Sequence, residues 1–420
     1  MSGLRKELKN IVAKNGDIMA DSKAYREYKS FFCTTKSALI LATVEGFLYQ
    51  FERSNVRILQ NMGYTVHYAS NKREILYHHE KDALEKMNVI FHHINIERSP
   101  YMYRNNKKAY QALKEIIEEN AISLLHCHEP VGGLLGRLAG MHFGRAKLKI
   151  IYTVHGFHFF KGAPLINNTA YYMVEKFLAR YTDVLVTINE EDYRAGRKLR
   201  LRKGGKNYWI PGVGIDLKRF HPPKQEDRER ERCRLGIAKD VFHIGTVGEI
   251  NENKNQVVVI EAMADIVKKY PNRKIIYTIW GEGFFYNVVE DLIEKHQLQN
   301  QVMLRGYAAD VTKILQTLDL FIFPSRREGL GMAAIEALAM GVPVVSGDNR
   351  GTREYMRDEV NGLICPANSK EEYIENILKY ANKDEIKKKR MSLAARESIM
   401  RFREENTKCI MEDVYHELLQ

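Results

Sequence analysis

The sequence predicts an α/β protein made of two Rossmann-like domains in succession. Three observations lead there. Apolar runs of strand length alternate with stretches at helical spacing along nearly the whole chain. The alternation breaks at a charged interruption just after residue 220 and then starts again. The 420 residues are too many for one core and suit two. Strand–helix–strand units build parallel sheets, and two such series of similar size predict two domains facing across a cleft.

The elements follow in order. Residues 1–36 are polar and helix-prone, and read as an N-terminal helical extension. "SALILATV" (37–44) opens the first sheet, "NVRILQNMG" has helical spacing, and "YTVHYAS" returns to strand pattern. The series continues with strands at "NVIFHHI", "ISLLHCH", "KIIYTVH" and "DVLVTIN". Helices are expected between them, and "NYWIPGVGID" closes the first domain, 37–218. "PPKQEDRERERCRLG" (222–236) reads as a linker or surface helix. Strands at "FHIGTVG", "KIIYTIWG", "QVMLRG", "DLFIFPS" and "PVVSGD" then define a second domain, 219–390. The end of the chain is strongly helical. Residues 391–420 read as a C-terminal helix, with a return to the first domain open to it.

Composition narrows the classes. No apolar run reaches the length of a membrane span, and "MSGLRKELKN" has no apolar core of a secretory signal. Cys33, Cys127, Cys233, Cys365 and Cys409 are scattered, without a CxxC pair, which favours reduced thiols and a cytoplasmic setting. The net charge of +12 is one-sided. Residues 1–220 hold 35 Lys+Arg against 21 Asp+Glu, a net of +14; the remainder nets −2. Such a surface attracts an anionic partner or is simply solvated. No nucleic-acid-binding module is recognisable, so nucleic acid is not the expected partner.

The chemistry concentrates in "FIFPSRREGLGMAAIEALAMGVPVVSGD". A strand runs into a glycine-containing loop and then a helix. Glycines let backbone amides approach a ligand, and a helix N-terminus favours an anion. Glu328 in the loop and Glu336 on the helix are acceptors suited to sugar hydroxyls. An internal salt bridge for Glu336 is the alternative.

The pattern E-x7-E followed by "EALAMGVPVV" resembles the signature of GT-B-fold retaining glycosyltransferases of family 4. "VGEINENKNQ", "WGEGF", "LRGYAADV", "NRGTREYM" and "NGLICP" come in that family's order. In the first half, "HCHEPVGGLLGRLAG", "YTVHGFHFFKGAP", "YTDVLVTINEEDY" and "IPGVGIDLKRF" resemble the bacterial members that build capsule and exopolysaccharide. The resemblance covers roughly 37–400.

It implies roles residue by residue. Glu336 would bind the ribose of a nucleotide diphosphate sugar, UDP-linked by family habit, and Glu328 the donor sugar. Backbone around Leu330 and Gly331 would hold the diphosphate, and Lys254 would neutralise it. Gly306 and Tyr307 would lie by the base, and Gly248, in the loop before Lys254, would also bind the donor. Gly46 would approach the phosphates from the first domain. His155 would line the reaction centre, with His158 as its competitor for that role. Lys254, Glu328 and His155 are thus the expected catalytic set.

Relatives commonly carry arginine where this chain has Glu249, and Arg326 or Arg327 could supply the charge. His126 and His128 share one face of a strand, but no third ligand has suitable spacing, so no metal is expected. No cofactor beyond the nucleotide sugar substrate is implied. The expected acceptor is a polyprenyl-diphosphate-linked saccharide, with the enzyme peripheral at the inner face of the cell membrane. "RAGRKLRLRKGGK" (194–206) and "KGAPLINNTAYYMVEKFL" suggest docking on an anionic bilayer. A catalytically silent scaffold of the same fold and a sugar-nucleotide epimerase are the alternatives.

Overall fold

The computed structural model describes residues 36–73, 83–160 and 162–419. The N-terminal extension, apart from its last residue, lies outside them. The chain folds as two compact units. Of the described residues, the first comprises 36–73, 83–127 and 134–150, the second 128–133, 151–160 and 162–419.

In the first unit four parallel strands run in the order β3-β2-β1-β4. They are β1 Ser37–Val44, β2 Thr65–Asn71, β3 Ile90–His93 and β4 Ile122–His128. β1 is buried along its whole length, as a strand covered on both faces must be. Ile40 pairs with Tyr68 on one side and His126 on the other.

The second unit begins with β5 Lys149–Val154, β6 Val184–Thr187 and β7 Lys206–Trp209, parallel and adjacent in that order. It then carries a complete six-stranded parallel sheet. Its strands are β8 Phe242–Val247, β9 Ile275–Trp280, β10 Val302–Leu304, β11 Leu320–Phe323, β12 Val344–Gly347 and β13 Gly362–Cys365. Their order is β10-β9-β8-β11-β12-β13. Ile244, Tyr277, Leu320, Ile322 and Val345 form one core with Val259, Met263 and Ile266 of the helix Gln256–Lys269.

Every expected strand is present, and β7 and β13 are added to them. Both are short and sit in Gly/Pro-bounded stretches, where four residues carry too little periodicity to register. The charged stretch 222–236 is a docked helix, Gln225–Arg234, rather than a linker. Arg232 is buried and donates to the carbonyls of Thr317 (2.9 Å), Ala238 (2.9 Å) and Val241 (2.6 Å). Arg228 pairs with Asp319 at 2.6 Å. Two of the arginines that suggested solvent are instead bound by carbonyls and a carboxylate at the ends of strands.

The C-terminal helical region is broken. Helices Glu385–Ser398 and Glu404–Leu419 flank a 3-10 turn at Met400–Phe402. Phe402 is buried, and Arg403 is extended because it bridges Ile215. The Ile215 amide donates to the Phe402 carbonyl at 2.8 Å, and the Glu404 amide donates to the Ile215 carbonyl at 3.0 Å. No glycine or proline marks this break in the sequence. Further on, Glu417 accepts from Lys206 and Tyr208 of β7.

Candidate active site

Strand β11 ends at Phe323, and the chain turns through residues 324–331 before the helix Met332–Ala339. Gly331 caps that helix at φ +89°, a left-handed conformation that favours glycine. A Cβ there would lie 2.8 Å from the Phe323 ring and 3.0 Å from the Tyr355 hydroxyl. At Gly329 a Cβ would overlap the carbonyl of His155. The loop therefore lies backbone to backbone against the turn after β5. The Ala334 amide donates to the Gly331 carbonyl at 3.1 Å, which leaves the Met332 and Ala333 amides without an acceptor in the helix, and the positive end of its dipole is here.

The turn at 251–255 fixes the loop from the other side. The Arg326 amide donates to the Asn253 carbonyl (2.8 Å), and Asn253 Nδ2 donates to the Arg327 carbonyl (2.9 Å). Asn255, at φ +58°, donates from Nδ2 to the carbonyls of Pro324 (3.3 Å) and Ala367 (2.7 Å). This lacing aims Lys254 at the loop. Its Nζ donates to Glu328 Oε1 at 2.6 Å and lies 5.5 Å from the centre of the Phe323 ring. Gly248 faces the same lysine, since a Cβ there would lie 3.9 Å from Lys254 Cε.

The two arginines before Glu328 divide. Arg326 is exposed and pairs with Glu252 at 2.8 Å. Arg327 is half-buried and forms no ion pair among the described residues. Burial, then the neighbouring Arg350, pull its pKa down. Of the two, Arg327 is the cation left available to a ligand.

Glu336 lies farther along the helix and is half-buried. Desolvation pushes its carboxyl up to about 7, against the pull of Arg219. It is not held in an ion pair within 4 Å among the described residues, so the internal salt-bridge reading does not hold.

His155 and His158 follow β5. His155 Nε2 is 3.2 Å from His128 Nδ1, and His158 lies 5.0 Å, centroid to centroid, from the Tyr171 ring. Burial lowers both imidazoles to about 4, with Arg327 and Arg350 adding to the effect at His158. Both are neutral near pH 7.

Four residues that sequence reasoning did not single out join these loops. Arg350 is buried and donates to Asp192 Oδ1 (2.7 Å) and to the Phe157 carbonyl (2.7 Å). Its guanidinium stacks 4.9 Å over Phe160, and its Nε is 3.4 Å from the Glu328 carbonyl. Asn189 Nδ2 donates to the Gly329 carbonyl and to Asp192 Oδ2, each at 2.8 Å. Burial raises the Asp192 carboxyl to about 6, with Arg350 working against it. Tyr355 donates to the Gly331 carbonyl at 3.3 Å. "NRGTREYM" and "TINEED" were visible as motifs, but nothing in one chain shows that they pair.

Lys254, Arg327, Glu328, Leu330 and Gly331 thus form one assembly against the His155 turn. Gly306 and Tyr307 belong to a separate loop after β10, joined to the loop after β9 by the Gly281 amide donating to the Gly306 carbonyl at 2.8 Å. Tyr307 is exposed there. Gly46 follows β1 in the first unit. Glu249 lies beside Gly248, and its carbonyl accepts from Gln256 Nε2 at 3.1 Å.

The expected lack of a third ligand group beside His126 does not hold. In the first unit a carboxylate oxygen of buried Glu52 comes within 4.8 Å of a ring nitrogen of buried His126. Desolvation raises the Glu52 carboxyl to about 8. Glu52 is distant in sequence, so spacing could not reveal it.

Comparison with known proteins gives the class. Solved structures of the same fold include Anabaena HepE in complex with UDP and glucose, at TM-score 0.71 and 18% identity, covering 91% of this chain and all of that one. A sucrose-phosphate synthase from Thermosynechococcus elongatus matches at TM-score 0.74 and 18% identity, covering 91% of this chain and 99% of its own. The fold is GT-B, with two parallel-sheet Rossmann-like domains.

The model for glycosyl transferases group 1 matches residues 227–398, and that for glycosyl transferase 4-like proteins matches 38–189. The EpsD protein of Bacillus subtilis (strain 168), named as a glycosyltransferase, is 36% identical over 382 residues, 91% of this chain and 96% of its own. An Escherichia coli UDP-Gal:alpha-D-GlcNAc-diphosphoundecaprenol alpha-1,3-galactosyltransferase is 26% identical over 276 residues, 65% of this chain and 70% of its own. The chain belongs to the group 1, family-4-like glycosyltransferases and is an enzyme of that class. Among the described residues no helix is long and apolar enough to cross a membrane.

Proposed function

We propose that the chain is a retaining enzyme that moves a hexose or N-acetylhexosamine from a UDP-sugar to a polyprenyl-diphosphate-linked saccharide in cell-surface polysaccharide synthesis. The observation that carries this reading is the Lys254–Glu328 pair at 2.6 Å beside a glycine-bounded loop and helix start. A cation, unpaired helix amides and carboxylates within one loop–helix unit suit a diphosphate flanked by hydroxyl-rich groups.

In this reading residues 219–390 bind the donor and 37–218 the acceptor. Lys254 turns from Glu328 to the diphosphate and, with Arg327 and the amides near Leu330 and Gly331, stabilises the charge that grows on the leaving group. Each well-placed donor is worth about 3–4 kcal/mol by analogy with oxyanion holes. Glu328 is then released to accept from donor-sugar hydroxyls, and Glu336 accepts from the ribose. Gly306 and Tyr307 meet the base, and Gly248 borders Lys254. The acceptor hydroxyl attacks on the face the diphosphate leaves, and its proton passes to the departing oxygen. Neutral His155 orients the sugar by hydrogen bonding.

The E. coli relative's named acceptor and the UDP held by HepE support the acceptor and donor classes proposed. We place the enzyme in the cytoplasm, peripheral at the inner face of the cell membrane, where such an acceptor would be reached.

The test measures nucleoside diphosphate release from UDP-, GDP- and ADP-sugars, with and without a lipid-linked saccharide. The product's anomeric configuration is read by NMR. UDP release that rises with acceptor and yields the donor's own configuration is expected. Turnover of another nucleotide alone, or an inverted product, would overturn the reading.

A further inference from the structure

The helical segment between β5 and β6 turns its apolar side outward. It comprises a π turn Asn167–Tyr171, the helix Tyr172–Leu178 and a 3-10 turn Ala179–Tyr181, with helical backbone angles at both junctions. Its inner face is Glu175, Leu178 and Ala179, all buried. Its outer face holds Ile166 (71% exposed), Met173 (60%), Val174 (46%) and Phe177 (48%), with Leu165 (85%) at its start. These positions recur at helical spacing, so they form one stripe. A globular surface helix shows the reverse arrangement.

The charge beside the stripe has one sign. Lys176 and Arg180 are exposed on the same segment, and its single acid, Glu175, is buried. The neighbouring run 194–206 is less available than its sequence suggests. Arg194 pairs with Glu190 (2.6 Å), Arg202 with buried Asp183 (2.8 Å), and Lys206 with Glu417.

We propose that the 165–180 stripe is the surface by which this enzyme sits on an anionic phospholipid bilayer. Leu165, Ile166, Met173 and Phe177 enter the headgroup–acyl boundary, and Lys176 and Arg180 meet lipid phosphates. Bulky apolar side chains whose exposed charged neighbours on the same segment are both cations match an interface whose interior is hydrocarbon and whose rim is negative. A protein partner would call for a rim rich in hydrogen-bonding groups. The proposal rests on the lipid-linked acceptor reading, because it supplies the membrane on which that acceptor resides.

The test is flotation of the full chain with 100-nm vesicles of phosphatidylcholine alone or with 30% phosphatidylglycerol. Binding to the anionic vesicles, weakened by salt, is expected. Ile166→Glu with Phe177→Glu should lower the partition coefficient at least tenfold. Lys176→Glu should lower it roughly fivefold or more and reduce the salt dependence. Ile386→Glu, at an equally exposed apolar site elsewhere, should leave it unchanged.

Binding that ignores the stripe variants, or that is absent from both vesicles, overturns the proposal. So does a lipid-free dimer in sedimentation equilibrium that Ile166→Glu dissociates, since a second copy would then cover the stripe. UDP-sugar turnover is measured on the same samples without vesicles. Loss of stripe-dependent binding with intact turnover sinks only the docking surface. Absent UDP-sugar turnover with intact binding sinks only the donor reading.

Discussion

Glu336→Gln tests stability and donor binding at one position. The native carboxyl sits near 7 against an ordinary 4.5, because burial disfavours its charge. The folded state therefore holds more protons than the unfolded chain between those values, and stability falls as pH rises from about 4.5 to 7. The full difference is about 3 kcal/mol. Glutamine keeps the shape and removes the charge. At pH 8 the variant should melt about 3 °C higher, using the usual unfolding entropy per residue. At pH 5 the gain should shrink to about 1 °C.

Donor binding should move the other way. On the proposed role of Glu336, two ribose hydroxyls donate charge-assisted bonds to its carboxylate, and their weakening should raise the donor KM roughly 10- to 100-fold at pH 8. In the wild type the ionised fraction rises about tenfold between pH 6 and 8, and KM should fall accordingly. In Glu336→Gln that pH dependence should vanish. Calorimetry at two pH values and initial rates across pH give all four quantities. A variant that is destabilised at pH 8, or that keeps the wild-type KM, would refute the reasoning.

Four further outcomes are expected. Lys254→Met should lower kcat by roughly 100- to 1,000-fold with a smaller change in KM, as read from saturating nucleoside diphosphate release. Arg350→Met strands a buried Asp192, and chemical denaturation should show a loss of about 3–5 kcal/mol. His155 and His158 are lowered to about 4, so their contribution to stability is complete above about 6.5 and is lost as pH falls toward 4. Histidine NMR should accordingly show neither ring titrating between pH 6 and 8. Gly329→Ala should abolish nucleoside diphosphate release, because its Cβ would overlap the His155 carbonyl.

Local pattern made much of this legible. Strand and helix identities follow from periodicity, and the glycines at 329 and 331 announced a loop under tight backbone constraint. The pairing of Lys254 with Glu328 was not announced, since the two lie on different strand ends. Their proximity needs β8 to lie beside β11, an order that sequential reading does not give. The same holds for Arg350 with Asp192 and for Glu52 with His126. Charge was the least readable signal. In 222–236 and 194–206, basic residues that look like surface are partly spent on strand-end carbonyls and internal carboxylates.

The sequence by itself determined the kind of most elements, the parallel α/β class, the family, and the residue types of the loop between β11 and its helix. These depend on neighbours along the chain and on apolar periodicity, which a single strand of text carries in full. Only the tertiary structure decided which charges meet, which arginine remains available, and how far burial moves Glu336 and the two histidines. It also decided that the apolar side of 165–180 faces outward. Those outcomes depend on desolvation and on Coulomb energy between groups far apart in sequence, and both are set by strand order.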